Sequence, residues 1–593
     1  MPRLLFVPSV RRSWGTGHLA RCMMWAGRDG AGLLLPAEGD RRHWGAEEIL
    51  RRYPGVLPAE RLVHEPDGGQ WDFVVLDRRM TEAEEFERLA GGRPVIGVDE
   101  GGPARPLCQF LIDTFPRLAR SRPANIADEG LVADVPPERE RRADFPAELR
   151  KVLLCFGGED AADLTRRTWR AFSQWKIFDP ADMDVALGPK YRHDPNFPGS
   201  CVIAGRTDVR EAFHGYDLVF SAFGLGAYEA LRRRVAVLLV NPSAYHRRLS
   251  RAAGLPEAGV GRPARRRLER LLADPAEKLI ARLREKAAGL SGRSMREVFD
   301  GLAAGRARGC PLCGRVRGRV LERFPDRSFF RCGRCGLAYQ EAFSAPTTVY
   351  NENYFFEEYR KQYGRSYLED FESIKTAGRL RLQIIEGLRG GEAQPGPKRL
   401  LDIGCAYGPF LAAAAEAGYE VQGLDACEAA VRHVREILDL PAEAASFPDY
   451  DPGRGGFDLV TLWYVIEHFQ NLEAVLRACH SLLAPGGILA FSTPNGAGGS
   501  ARFKRRDFLR SSPDDHYSIW DQKSARRVLA AFGFKLRRVR VSGHHPERLA
   551  GLRLVEKGLG RPAALAASRL AGLGDTFELY AQKTEALAGR PHD

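Results

Sequence analysis

Two groups of residues in this chain have the types and spacing to do chemistry. The first is Cys310, Cys313, Cys332 and Cys335, a C-x2-C-x18-C-x2-C pattern in which a glycine (Gly314, Gly336) follows each pair. Four thiolates at this spacing suit a tetrahedral Zn2+ ion with a structural role. The other seven cysteines are scattered, so disulfides do not explain the cluster. Two close CxxC pairs also favour metal over redox work. The second group is L-L-D-I-G-C-A-Y-G-P-F-L at 400–411, an apolar run that ends in Asp402 and enters a turn containing Gly404 and Gly408. The glycines let a ligand approach the backbone, and the carboxylate at the strand end can accept hydrogen bonds. The third glycine of a dinucleotide fingerprint is absent.

A third candidate lies near the start. An apolar run at 4–7 leads into W-G-T-G-H-L-A-R-C at 14–22. Gly15 and Gly17 permit a tight turn, the helix that follows favours anions at its N-terminus, and His18 would sit at that turn. A histidine there can act as a general base or hold developing charge. An incidental histidine in an ordinary strand–helix turn is the plain alternative.

The elements that must position these residues follow from the pattern. Apolar runs at 4–7, 73–76, 95–98, 152–155, 185–187, 218–221 and 235–240 alternate with amphipathic stretches such as 81–90 and 163–172. A second series has runs at 399–403, 420–424, 457–462, 488–492, 535–541 and 576–582. This alternation predicts α/β units with parallel sheets. A Pro- and charge-rich segment at 136–146 divides the first three hundred residues into two lobes facing a cleft. A basic helical stretch at 268–303 leads to the cysteines, and a Gly/Pro-rich linker at 390–397 precedes the second series. The expected domains are 1–140, 147–303, a small four-cysteine zinc module at 306–345, 346–583 and a tail at 584–593.

Composition bounds the rest. The 593 residues are 44% hydrophobic and 28% charged, which excludes a disordered or fibrous chain. Lys plus Arg exceed Asp plus Glu by 89 − 76 = 13, too diffuse for a dedicated nucleic-acid binder, although Arg306, Arg308, Arg315, Arg317 and Arg319 gather near the cysteines. No transmembrane run or signal peptide is expected, which predicts a cytoplasmic protein with reduced thiols. Oligomeric state is not readable.

Within residues 1–300, three turns act together: G-T-G-H-L-A-R-C, the L-C-F-G-G-E-D strand end at 154–160, and S-A-F-G-L-G-A-Y-E at 221–229. They resemble the UDP-sugar hydrolase of the pseudaminic acid pathway, a relative of GT-B glycosyltransferases. The resemblance implies a GT-B-like pair of Rossmann-type lobes, with His18 activating or positioning water. Gly224 and Glu229 would hold the nucleotide, with Gly17 and Arg21 at the phosphates or the turn. A UDP-linked amino sugar or related glycan intermediate would be the substrate. Tyr245-His246 replace the Asn–Gln pair of relatives, which leaves the sugar open. A glycosyltransferase or a non-catalytic sugar-binding lobe are the alternatives.

Residues 340–583 resemble class I S-adenosylmethionine methyltransferases. The resemblance rests on Asp402, Gly404 and Gly408, on Asp425 ending the next run, on F-D-L-V at 457–460, on E-H at 467–468 and on L-A-P-G-G at 483–487. It implies a Rossmann-like domain in which Asp402, Gly404 and Gly408 meet the methionine part of the cofactor and Asp425 meets the ribose. His468 and His516 are the candidate bases. The basic segment Arg502, Lys504, Arg505 and Arg506 would suit a substrate's phosphates, and 350–367 would form a lid. A zinc-binding cysteine module also precedes such a domain in deoxysugar methyltransferases. The combined expectation is a bifunctional enzyme of nucleotide-sugar or surface-glycan biosynthesis. An RNA methyltransferase is disfavoured, because Thr461-Leu462-Trp463-Tyr464 stand where a Pro-Pro-Tyr element would lie.

Overall fold

In a computed structural model the chain forms two compact units, residues 1–306 with 323–327, and residues 307–322 with 328–593. The residues described are 3–11, 17–27, 30–36, 38–39, 42–52, 58–66, 71–118, 123–204, 209–273, 276–304, 309–343, 354–389, 398–450, 455–545 and 560–584.

The first unit holds two parallel sheets. One contains β1 (Leu4–Pro8), β2 (Ala31–Leu34), β3 (Leu62–Val63), β4 (Phe73–Asp77), β5 (Val95–Val98), β6 (Phe110–Asp113) and β7 (Ile126–Ala127), in the order 3-2-1-4-5-6-7. The other contains β8 (Val152–Cys155), β9 (Met183–Leu187), β10 (Val202–Ala204), β11 (Leu218–Ser221), β12 (Ala236–Asn241) and β13 (Glu257–Val260), in the order 10-9-8-11-12-13. The central strands are buried on both faces, and for that reason they read as continuous apolar runs. Each sheet reverses its strand order once, between β1 and β4 and between β8 and β11. Loops at the carboxyl ends of such neighbours diverge and leave a crevice. The segment 136–146 carries only a short 3-10 turn, Glu138–Glu140, and Phe145 is buried in the second sheet's core. The basic stretch at 268–303 resolves into three helices, Arg265–Ala273, Ala276–Ala288 and Met295–Ala304.

The second unit begins with β14 (Gly318–Arg323), β15 (Arg327–Cys332) and β16 (Ala338–Ala342). A helix Phe371–Arg389 follows, and the linker 390–397 lies outside the described residues. Then come β17 (Lys398–Ile403), β18 (Tyr419–Asp425), β19 (Ala442–Ala444), β20 (Phe457–Trp463), β21 (Leu483–Pro494), β22 (Ser518–Ile519), β23 (Phe534–Ser542) and β24 (Thr576–Lys583). Seven of these form a sheet in the order 19-18-17-20-21-24-23. β24 runs antiparallel to β21 and β23, and the order reverses between β17 and β20. β22 instead joins β14, β15 and β16 in a four-stranded sheet, with Tyr339 opposite Ser518. The cysteine strands share their core with the large sheet: Cys310, Phe330 and Tyr339 pack in one apolar cluster with Phe491, Trp520 and Leu529.

Among the described residues no helix is long and apolar enough to cross a membrane.

Candidate functional site

In the second unit the chemistry gathers where β17 and β20 diverge. Asp402 is buried near the end of β17, and its Oδ1 accepts from the Thr461 hydroxyl of β20 at 2.6 Å. Burial pushes its carboxyl up to about 7, against the opposing pulls of that hydrogen bond and of Arg381. The loop beyond is folded by its glycines. Gly404 and Gly408 have φ of 75° and 80°, and a Cβ at either would collide with Val465 or with Leu438 and Val434. The same loop is tied to β18 by Asp425, which accepts from the amides of Ala406 and Cys427, each at 2.9 Å. Burial raises the Asp425 carboxyl, and these amides hold it back.

Aromatic rings cover this loop. Phe355 lies 5.2 Å from Tyr407 and 5.3 Å from Tyr367, centroid to centroid. Tyr407 in turn meets His433 at 5.2 Å. Burial and the nearby Tyr359, Asp402 and Asp425 push the Tyr367 hydroxyl up. The described part of the expected lid, 354–367, therefore packs on the glycine loop. Arg381 approaches from the helix Phe371–Arg389. Its Nε donates to Glu578 at 2.9 Å, and its guanidinium lies 4.1 Å above the Trp463 ring.

On the β20 side the chain turns sharply at Tyr464, with φ of 60°, and enters the 3-10 turn Ile466–His468. Glu467 is 1% exposed, and burial pushes its carboxyl up to about 7. His468 Nδ1 donates to Asp515 Oδ2 at 3.1 Å, and its ring meets His516 edge to face at 4.6 Å. Thus His468 and His516, candidates separated by 48 positions, stand together. Sequence reasoning does not select Glu467 or Asp515 as site residues. Glu467 has a signal as the acidic neighbour of His468, whereas nothing in the sequence points to Asp515.

The four cysteines also converge. Cys310 and Cys335 sulfurs are 3.4 Å apart, those of Cys313 and Cys332 3.5 Å, and all four lie within 4.8 Å of one another. Each pair sits in a matching backbone turn: Gly314 N donates to Cys310 O, and Gly336 N to Cys332 O. A tetrahedral ion with Zn–S bonds of about 2.3 Å needs sulfurs about 3.8 Å apart, so the donor set fits zinc in type and size.

In the first unit the sites lie at the two order reversals. Gly17 opens the helix Gly17–Ala26, while residues 12–16 of the expected turn lie outside the described residues. His18 is 8% exposed, and its Nδ1 donates to Asp77 Oδ1 at 2.6 Å. Arg21 is buried and bridges two carboxylates, donating to Asp77 at 2.7 Å and Asp99 at 2.9 Å, and to the Thr114 hydroxyl at 2.9 Å. Burial alone would raise Asp77; Arg21 and His18 outweigh it and hold the carboxyl below its usual range. Arg21 is therefore committed to Asp77 and Asp99. Sequence reasoning does not select Asp77, Asp99 or Thr114, although Asp77 ends β4 as Asp425 ends β18, and Asp402 stands one residue before the end of β17.

Gly224 precedes the helix Leu225–Arg232, in which Glu229 is buried. Phe115 links this element to the His18 cluster. Its amide donates to Asp99, its ring lies 5.4 Å from Phe223, and the Arg21 guanidinium is 5.5 Å from its centroid. His246 is held by the Ser243 hydroxyl at 2.8 Å, and burial with Arg79 lowers it to about 4.

Comparison with known proteins places the second unit. The family described as "Methyltransferase domain" matches residues 378–539. The ubiquinone biosynthesis O-methyltransferase of Bordetella avium is 32% identical over 136 residues, 21% of this chain and 54% of that protein. The Ralstonia nicotianae protein of the same name is 33% identical over 134 residues, 21% and 53%. The chain spans about half the length of these curated relatives. Among solved structures, an S-adenosylmethionine-dependent methyltransferase from Archaeoglobus fulgidus is 16% identical with a TM-score of 0.28, covering 39% of this chain and all of that one. One from Mesorhizobium loti is 20% identical with a TM-score of 0.25, covering 33% and 96%. Residues 378–539 are a class I S-adenosylmethionine methyltransferase region.

Asp402 yields a test of its environment. Its raised folded value means that the ionised carboxylate opposes folding above about pH 7 and that this cost fades as pH falls toward 4. Asp402→Asn keeps the acceptor for Thr461. Thermal melts of the full chain should show the variant gaining up to about 4 kcal/mol over the native protein at pH 8, about 2 kcal/mol near pH 5 and little below pH 4. A difference that does not change with pH would refute the buried-charge account.

Proposed function

We propose that the chain is an S-adenosylmethionine-dependent methyltransferase with a second, nucleotide-sugar-handling half. The observation that carries the first part is the glycine loop at the reversal between β17 and β20, clamped by Asp425, inside a region that matches methyltransferases. Asp402, Gly404 and Gly408 would border the methionine part of the cofactor. The Asp425 oxygens each accept one amide and retain lone pairs for ribose hydroxyls. When bound, S-adenosylmethionine supplies an electrophilic sulfonium methyl. Residues 354–367 exclude water above the loop, and the acceptor's proton leaves on the Glu467–His468–His516 side, where Asp515 fixes the His468 ring. The relatives' name favours an oxygen acceptor, and the sugar reading of the other half favours a hydroxyl on a sugar or related intermediate. Zinc held by Cys310, Cys313, Cys332 and Cys335 would be structural.

For the first unit, the observation that favours UDP-sugar hydrolysis over binding alone is the His18–Asp77 pair. A carboxylate on Nδ1 orients the ring and directs Nε2 to activate water. Gly17, Gly224 and Glu229 would hold the nucleotide, with Arg21 fixing Asp77 and Asp99.

Three measurements test this reading. Asp425→Asn should weaken S-adenosylmethionine binding about tenfold or more by calorimetry, the scale of a lost charged hydrogen bond; equal affinity removes the ribose assignment. Release of UDP from UDP-amino sugars should vanish in His18→Ala with an unchanged circular dichroism spectrum, and persistence rejects His18. Cobalt-substituted protein should show thiolate-to-metal absorption in the near ultraviolet that is lost in Cys332→Ser; its absence in the native protein rejects the four-sulfur site.

A further inference from the structure

The charge excess of the chain is uneven. Between Ala244 and Ala273 stand eight arginines and two glutamates, a net +6 of the chain's +13. These residues make the helices Ala244–Ala252 and Arg265–Ala273, which both pack on β13, the edge strand of the second sheet. We propose that arginines of this segment form a rim of positive potential that draws a diphosphate-bearing ligand to the Gly224 turn from a distance; the ligand's identity rests on the nucleotide-sugar reading above.

A chain of hydrogen bonds places the rim at that turn. Asn241 ends β12 and is fully buried, and its Oδ1 accepts from Phe223 N, one residue before Gly224, at 3.0 Å. The Asn241 carbonyl accepts from Gly261 N at 2.8 Å, and the Gly261 carbonyl accepts from Arg167 Nη1 at 3.2 Å. Arg262 therefore follows a loop that one side chain ties to the Gly224 turn. Arg247 and Arg248 fall within the first five residues of the helix after β12, and Arg265 and Arg266 open the helix after β13. All of them stand on the carboxyl-end side of the strands, where ligands of such sheets bind.

Most of this charge has no local counterpart. Arg251 and Arg267 face the buried Glu257, and Arg265 pairs with Glu269. Among the described residues no carboxylate pairs with Arg247, Arg248, Arg262 or Arg266, and the last three are exposed. The carboxylates at the same end are occupied or shielded. Asp160 accepts from the amides of Leu164 and Thr165, and Asp163 from the Tyr191 hydroxyl. Glu229 is buried and Glu159 half-buried. Exposed charges act over about 10 Å at 0.1 M salt and about 30 Å at 0.01 M. Arginines that never touch a ligand can therefore speed its arrival, by about tenfold or more in charged clefts. Like charges crowded on one edge repel one another, a cost that an incoming anion relieves.

The test measures UDP on the full chain, with affinity from calorimetry and dissociation rate from phosphorus resonance line shapes. UDP should bind about tenfold or more tightly at about 0.01 M than at about 0.5 M salt, with its dissociation rate nearly constant. Uridine, which carries no charge, should show no such dependence. Arg248→Glu, Arg262→Glu and Arg266→Glu combined should weaken UDP about tenfold or more at low salt, and the loss should vanish at high salt. The matching Lys triple should bind as the native protein does, because attraction from a distance needs the charge and not the guanidinium geometry. Arg88→Glu, in the last turn of the helix Ala83–Ala90 of the first lobe, is the remote charge control and should leave the affinity nearly unchanged. Circular dichroism checks the fold, and Arg248→Glu alone stands in should the triple misfold. Unchanged UDP affinity in the Glu variants overturns the proposal. A loss that persists at high salt, appears in the dissociation rate or is shared by the Lys triple also overturns it, since the arginines would then be direct contacts. UDP binding without any effect of the rim leaves the nucleotide reading standing, whereas native protein that does not bind UDP rejects that reading and the rim's role with it.

Discussion

The two hydrogen bonds that Asp425 accepts, from the amides of Ala406 and Cys427, join the end of β18 to the glycine loop after β17. Beside them, Gly404 N and Cys405 N donate to Leu424 O and begin the same path. Gly404 and Gly408 adopt their positive φ freely, but the positive φ of Ala406, 49°, makes that path costly for an unrestrained chain. The carboxylate thus converts a strained turn into a fixed one. Tyr407, set between Ala406 and Gly408, can then carry the aromatic cover of Phe355 and Tyr367. The first unit uses related logic: Arg21 bridges Asp77 and Asp99, and the same Asp77 orients His18.

Three of the buried carboxylates at or near strand ends, Asp77, Asp402 and Asp425, each solve burial differently. Asp77 is neutralised by Arg21 and His18 and stays acidic. Asp425 is fed by backbone amides. Asp402 has a hydroxyl and the weaker pull of Arg381, and its carboxyl is raised to about 7. The environment, and not the residue type, sets what each can do.

Much of the architecture was legible because parallel strands buried on both faces must be apolar throughout. The runs at 73–76, 95–98 and 218–221 fall within β4, β5 and β11. Strands whose existence depends on their neighbours were not legible. β22 is two residues long and is a strand only because Tyr339 and Ala338 pair with it. β2 contains a glycine against which Trp71 packs, and its apolar run is short. In the sites, residues on one local motif were readable: Asp402, Gly404 and Gly408 in a turn, or Cys310 with Cys313. Partners supplied from afar were not. Asp77 meets His18 across 59 positions and Asp515 meets His468 across 47, distances at which no spacing rule operates.

The pairing of β16 with β22 bears on where this chain can be cut. His516 and Tyr517 lead directly into β22, Gln340 N donates to Tyr517 O, and the Gln340 side chain donates to the Pro513 and Asp514 carbonyls. The backbone that presents His516 is therefore held by a strand about 175 positions earlier, which the cysteine turns anchor. A fragment beginning at residue 346 would keep the large sheet and its glycine loop, yet β22 would become an unpaired edge. The matched region 378–539 is thus a smaller thing than the folding unit, which starts at the first cysteine turn.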